Sequence, residues 1–164
     1  MIREVTATSA GLTTAVTAYS IGDQMGTLLS FPGAVLHPGS SGMILAAHVY
    51  DDSGVLGAFD LALFSNTVTP AADNAAATFS TADGQATEGV LSFLAANLPV
   101  AGKVMGTLLP VSGGQPFSLA NPVTGAPGTT LFGAMIARSA NAVFAAGATS
   151  VRIKLLIDAG AGGS

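Results

Sequence analysis

Apolar and polar residues alternate with period two through most of this chain, and the helical period of 3.6 is rare. Such alternation marks strands that turn one face toward a core. It is cleanest over residues 149–157, where Val151, Ile153, Leu155 and Ile157 share one face and Arg152 and Lys154 the other. Residues 42–50 predict a second strand. Met43, Leu45, Ala47 and Val49 make its large-residue face, and Ile44, Ala46, His48 and Tyr50 a mixed one. Residues 59–65 predict a third, with Phe59, Leu61 and Leu63 on one side. Further strands are predicted at 5–8, 14–19, 25–31, 86–94, 103–111, 116–119 and 130–138.

Turn residues fall between these runs, at Gly22 and Asp23, Pro32 and Gly33, 37–42, 51–54, 112–114 and 121–128. Many short strands with Gly and Pro at the turns predict an all-β fold: an antiparallel β-sandwich of about eight strands, jelly-roll-like. The segment 69–77 is the longest irregular stretch, and a short helical turn fits there or at 81–84. The expected organisation is an N-terminal arm over 1–14, a sandwich domain over 15–158 and a Gly-rich C-terminal tail over 159–164.

Composition sharpens this picture. Only 9% of the 164 residues are charged while 49% are hydrophobic, and the mean hydropathy is +0.60. Globular chains ordinarily carry about 25% charged residues. Part of the surface is therefore expected to face other protein. Net charge is −4, and the basic residues Arg3, Lys103, Arg138, Arg152 and Lys154 are scattered, which argues against a nucleic-acid partner. The chain has no cysteine, so disulfides and thiolate metal sites are excluded. No run approaches the ~18–20 apolar residues that span a bilayer, so no membrane partner is expected. The first residues lack the basic-then-apolar pattern of a secretory signal.

Candidate chemistry is sparse. His37 and His48 are the two histidines, too few for a zinc site without several carboxylates, and they read as structural. No nucleophile elbow accompanies the serines. Asp51, Asp52, Asp73, Asn74 and Asp83 lie in predicted loops. Turn-defining backbone bonds are the expected role for such residues, ahead of a Ca²⁺ site or a glycosidase pair. The stretch from Gly22 to Gly26 lacks the lysine and the following helix of a phosphate loop. Asp60, inside an apolar run, is expected to face solvent or to pair with a base such as Arg138 or Arg152. The aromatics Tyr19, Phe31, Phe59, Phe64, Phe79, Phe93, Phe117, Phe132 and Phe144 are spread along the chain as core and interface anchors. No catalytic, cofactor-binding or metal-binding residue is expected.

Several short motifs follow one another in order: Tyr19, Gly22, Asp23 and Gly26; Leu29 and Phe31; Gly39, Gly42 and Ile44; Val49 and Asp51; Asp60, Leu61, Leu63 and Phe64; Asp73, Asn74, Ala75 and Ala76; Leu131, Phe132 and Gly133; Ala137 and Arg138; and the strand from Val151 to Asp158. Between Tyr19 and Asp158 this layout resembles small virion structural proteins of tailed bacteriophages. It departs from them at Gly39 to Gly42, one residue longer than their usual Gly-Ser-Gly.

The resemblance implies a virion component on the outer capsid surface, a capsid cement or decoration protein, and no catalytic residue. The expected partners are the major capsid protein and further copies of the chain, as a homotrimer, with residues 1–14 and 158–164 as contact segments. The alternative is a tail, fibre or baseplate β-domain of the virion, with a receptor-binding role. A carbohydrate-binding module of jelly-roll type is disfavoured because the chain has no Trp and two Tyr.

Overall fold

The computed structural model describes residues 1–7, 18–51, 54–98, 100–101, 103–108, 114–120, 128–140 and 151–160. Ten strands lie among them: β1 (Ile2–Thr6), β2 (Gln24–Phe31), β3 (Ser41–Asp51), β4 (Phe59–Phe64), β5 (Thr87–Phe93), β6 (Val100–Ala101), β7 (Lys103–Leu108), β8 (Gln115–Ser118), β9 (Leu131–Ala137) and β10 (Val151–Asp158). One sheet runs β1-β10-β3-β7-β6, with β8 also paired to β3; the other runs β2-β9-β4-β5. Every pairing is antiparallel.

Setting aside the short β6 and β8, the pairs nest: β1 with β10, β2 with β9, β3 with β7 and β4 with β5. The chain is one long hairpin rolled so that alternate strand pairs enter opposite sheets. This is the jelly-roll arrangement of the β-sandwich, and the expected fold class holds.

Inward-facing residues of both sheets fill one core. Phe59, Leu61, Leu63 and Phe93 of the β4/β5 pair meet Ile153, Leu155 and Ile157 of β10 and Val49 of β3 in it. Phe59 and Phe93 stack with centroids 4.7 Å apart. The β10 alternation is as expected, with Ile153, Leu155 and Ile157 buried and Arg152 exposed.

The expected faces of β3 need correction. Ile44 is fully buried, as are Ala47 and Val49, whereas Met43 is 39% exposed. The register slips opposite Leu156 and Ile157, which pair with Ala46 and Ile44. Leu45 is thus the extra residue of a bulge. A bulge reverses which side chains point inward, so no single period-two phase describes this strand.

The stretch after β4 covers the outer face of the second sheet. Val68 packs with Ala62, Phe64 and Ala134 in a second cluster flanked by Leu28, Phe79, Phe132 and Ile136. Residues 69–77 are irregular, and the helical turn falls at α1 (Thr81–Gln85). Ser80 and Asp83 form a reciprocal capping box there, which satisfies backbone donors that so short a helix leaves open.

Within the expected arm, Ile2–Thr6 is strand β1, paired along its length with β10. Residues 8–14 lie outside the described residues, as do 14–17 of one predicted strand, 109–111 of another, Phe144 and 161–164 of the tail.

Candidate functional site

The motif residues separated in sequence meet in space. Tyr19 is 1% exposed, and its hydroxyl donates to Asp73 Oδ1 at 2.6 Å. The same oxygen accepts the Gly26 N–H at 2.6 Å. Gly26 has φ +70°, a conformation that favours glycine, at the start of a register shift between β2 and β9. Backbone bonds complete the clamp: Gln24 N–H to the Ala75 carbonyl (2.8 Å), Asn74 N–H to the Gln24 carbonyl (2.9 Å) and Ala77 N–H to the Gly22 carbonyl (2.9 Å). Asn74 sits at φ +60°, where Asn is among the better-tolerated side chains. Burial raises the Tyr19 phenol above its ordinary pKa, and the Asp73 hydrogen bond and charge add to the shift. Two stretches of the resemblance, 19–26 and 73–76, are therefore one structural unit that fixes the entry to β2.

A second pair of motifs also converges. Asp60 Oδ1 accepts the Ser92 hydroxyl at 2.6 Å and Arg138 Nη1 at 3.2 Å, while Arg138 Nη1 also donates to Ser92 Oγ at 3.1 Å. The structure selects Arg138 over Arg152 as the partner of Asp60. This triangle ties β4 to β5 and to the end of β9.

The loop carboxylates are likewise occupied by backbone. Asp51 is fully buried and accepts the N–H groups of Val55 and Leu56, each at 2.9 Å. Asp23 accepts Ser20 N–H at 2.7 Å, and Asp83 caps α1 through Ser80. Asp52 lies outside the described residues. His37 is exposed in its loop, and His48 Nδ1 lies 3.0 Å from Thr107 Oγ1 on the neighbouring strand. Among the described residues, no three His, Cys, Asp or Glu side chains are grouped to hold a metal ion. No helix among them is long and apolar enough to cross a membrane.

What the sequence did not reveal is that the two expected contact segments meet. The Met1 ammonium donates to Asp158 Oδ1 at 2.9 Å, Ala159 N–H reaches the Met1 carbonyl at 3.0 Å, and Gly160 N–H approaches Asp158 Oδ1 at 3.3 Å. The hydrogen bond from the terminal ammonium, followed by the one from Gly160, holds the Asp158 carboxyl below the usual carboxylate range. Met1 and Ile2 remain 72% and 62% exposed at the start of β1, the outermost strand of its sheet. Nothing in the local pattern pairs residue 2 with residue 158, and the outward charges of β10 argued against an edge partner.

No protein-family model matches the chain, and no curated protein does. Among solved structures, the chain is similar to the native virion of Kashmir bee virus at neutral pH, with TM-score 0.28 and 11% identity over 96% of this chain and 67% of that one. The same virion at acidic pH gives TM-score 0.25 and 12% identity over the same shares. Likeness of that degree carries no weight here, and the fold assignment rests on strand order.

Proposed function

We propose that this chain is a structural protein of a virion, a capsid cement or decoration protein. In this reading it binds the outer capsid surface, bridges neighbouring major capsid proteins and acts as a homotrimer. The observation that carries the reading is a jelly-roll sandwich whose surface is built with so few charges: 9% of residues, with Met1, Ile2, Val90 and Leu94 each about half exposed or more. The motif resemblance to tailed-phage virion proteins supports it. So does the placement of the motif carboxylates, which bond to turns and strand junctions.

Two sheet edges suit contact with neighbours. β1 and β5 each end a sheet, and an edge strand can extend its ladder into another chain. Closed cyclic assembly would bury such edges between copies. Repeated weak contacts over a symmetric shell sum to a firm hold, because each bound copy makes the next contact effectively intramolecular.

The test is co-sedimentation of the purified chain with empty capsid shells, read beside its mass in solution. Saturable binding at a fixed ratio to the major capsid protein, with a trimer mass, is the expected result. Absence of shell binding, with copies recovered only on tails, would move the protein to a fibre or baseplate. Truncating residues 1–14 is a poor probe of contact, since it strips β1 from the sheet; removing 161–164 leaves β10 intact.

A further inference from the structure

In a depression on its outer face, the β1-containing sheet carries a cation with no carboxylate partner among the described residues. His48, Val49, Tyr50, Gly106, Thr107, Arg152 and Lys154 line a hollow of about 380 Å³ across β10, β3 and β7. The registers explain the grouping: Arg152 lies opposite Tyr50, Lys154 opposite His48, and His48 opposite Thr107. Arg152 and Lys154, two apart on one strand, project on the same side about 7 Å from each other.

The partners of these groups differ. Lys154 Nζ bonds Glu4 Oε1 at 2.9 Å, with both side chains near half exposed. Arg152 is exposed and has no carboxylate partner among the described residues. His48 spends Nδ1 on Thr107, which orients the ring and leaves Nε2 available. Among the described residues the hollow therefore offers one guanidinium without a carboxylate partner, one ammonium already balanced by Glu4 and the Nε2 edge of His48, in a chain whose net charge is −4.

We propose that this hollow is an anion-recognition site for a single carboxylate, an exposed Asp or Glu side chain of a partner protein. The guanidinium fork matches a planar carboxylate with two parallel hydrogen bonds. A polyphosphate or sulfated polymer calls for several uncompensated cations, and among the described residues this site has one. A sugar ring calls for aromatic stacking, and Tyr50 alone is present among the lining residues. Lys154 joins the bound carboxylate when its pairing with Glu4 loosens. That the partner belongs to a capsid shell rests on the virion reading; the carboxylate chemistry does not.

The probe is a tetraglutamate peptide, titrated into the full chain and followed by amide NMR. Saturable shifts at Tyr50, Thr107 and Arg152 that strengthen at low salt are expected. R152Q should weaken binding about tenfold or more, the scale of a lost charge-assisted bond, with its melting temperature unchanged. E4Q should tighten binding by freeing Lys154, an effect that a purely structural role for these residues would not produce. The proposal is overturned by unsaturable shifts, by R152Q binding as the parent does, or by tighter binding of a sulfated disaccharide than of the peptide. Because the titration needs no shells, its failure is distinct from a failure to bind capsids. Loss of shell binding in R152Q would join the two readings.

Discussion

Replacing Asp73 with Ala should test the clamp that joins the two most distinctive motif stretches. Asp73 Oδ1 holds two donors at 2.6 Å, the Tyr19 hydroxyl and the Gly26 N–H. A hydrogen bond to an ionised acceptor contributes about 1.5–3 kcal/mol, and a buried donor left without a partner costs about 1–3 kcal/mol. Tyr19 is 1% exposed and Gly26 is buried, so water cannot easily replace the lost acceptor. Asp73 itself is half-buried, which places the expected cost at about 3 kcal/mol, a large share of the roughly 5–15 kcal/mol of a typical domain. A chain of this length should melt about 6–12 °C lower. With no Trp in the chain, urea unfolding followed by far-UV circular dichroism is the suitable assay. Tyr19→Phe alone should cost about 1 kcal/mol, and the double variant should show a coupling of about 1–2 kcal/mol. Alkaline pH gives an independent readout. The folded-state pKa of Tyr19 is raised, so the native state keeps its proton more tightly than the unfolded chain. The associated stability is complete below about pH 10 and declines above it; Tyr19→Phe should remove that decline. A change below about 0.5 kcal/mol in Asp73→Ala, or strict additivity in the cycle, would refute the clamp.

Two further substitutions test the packing. A Cβ at Gly42 would lie 2.6 Å from Phe117 Cζ and 3.2 Å from the Asp158 carbonyl oxygen; Phe117 is buried at 4% exposure. Gly42→Ala should therefore cost about 1–3 kcal/mol through overpacking, read as a lowered urea midpoint with an unchanged slope, and an unaffected midpoint would show that Phe117 yields freely. Phe79 meets Phe64 with ring centroids 5.2 Å apart. Phe79→Ala should cost about 2 kcal/mol, below the range for a fully buried Phe because Phe79 is half-buried, and should raise hydrogen exchange over 66–80 ahead of the rest of the sandwich; uniform exchange would mean that this segment is not a separable cover.

The strands were legible because a sandwich core imposes period two, and β10 is the clearest instance. β3 was legible as a strand and not in its facing, because the bulge at Leu45 is a property of its pairing with β10 and leaves no local trace. The start of the chain reads as an arm for a similar reason. Ile2–Thr6 is short and mixed in polarity, as an edge strand is, and only its partner 150 residues away makes it part of a sheet. The loop carboxylates read correctly as turn builders at Asp51 and Asp83, whose acceptor role is local. The partners of Asp73 and Asp60 lie far along the chain, so sequence could suggest candidates for Asp60 and none for Asp73. Arg152 and Lys154, read in sequence as two neighbouring charges on one strand face, line a hollow only once β3 brings His48 and Tyr50 beside them.

The two outer faces of the sandwich also change what the low charge means. One sheet is covered by the chain's own segment after β4, and its outward Ala62, Phe64 and Ala134 are buried against Val68. Some of the apolar excess is thus consumed in a second, smaller core and never reaches a surface. The inference that apolar composition implies assembly therefore holds for less of the chain than composition alone suggests, and it falls chiefly on the most exposed apolar residues: Met1 and Ile2 at the start of β1, Ile21 ahead of β2, and Val90 and Leu94 on and just beyond β5. The other sheet keeps a polar outer face around Arg152. On the proposed assembly reading, an edge with backbone and apolar contact beside a face with one directed charge would divide labour as protein contacts commonly do: buried apolar area would supply the hold, and the charge would set orientation.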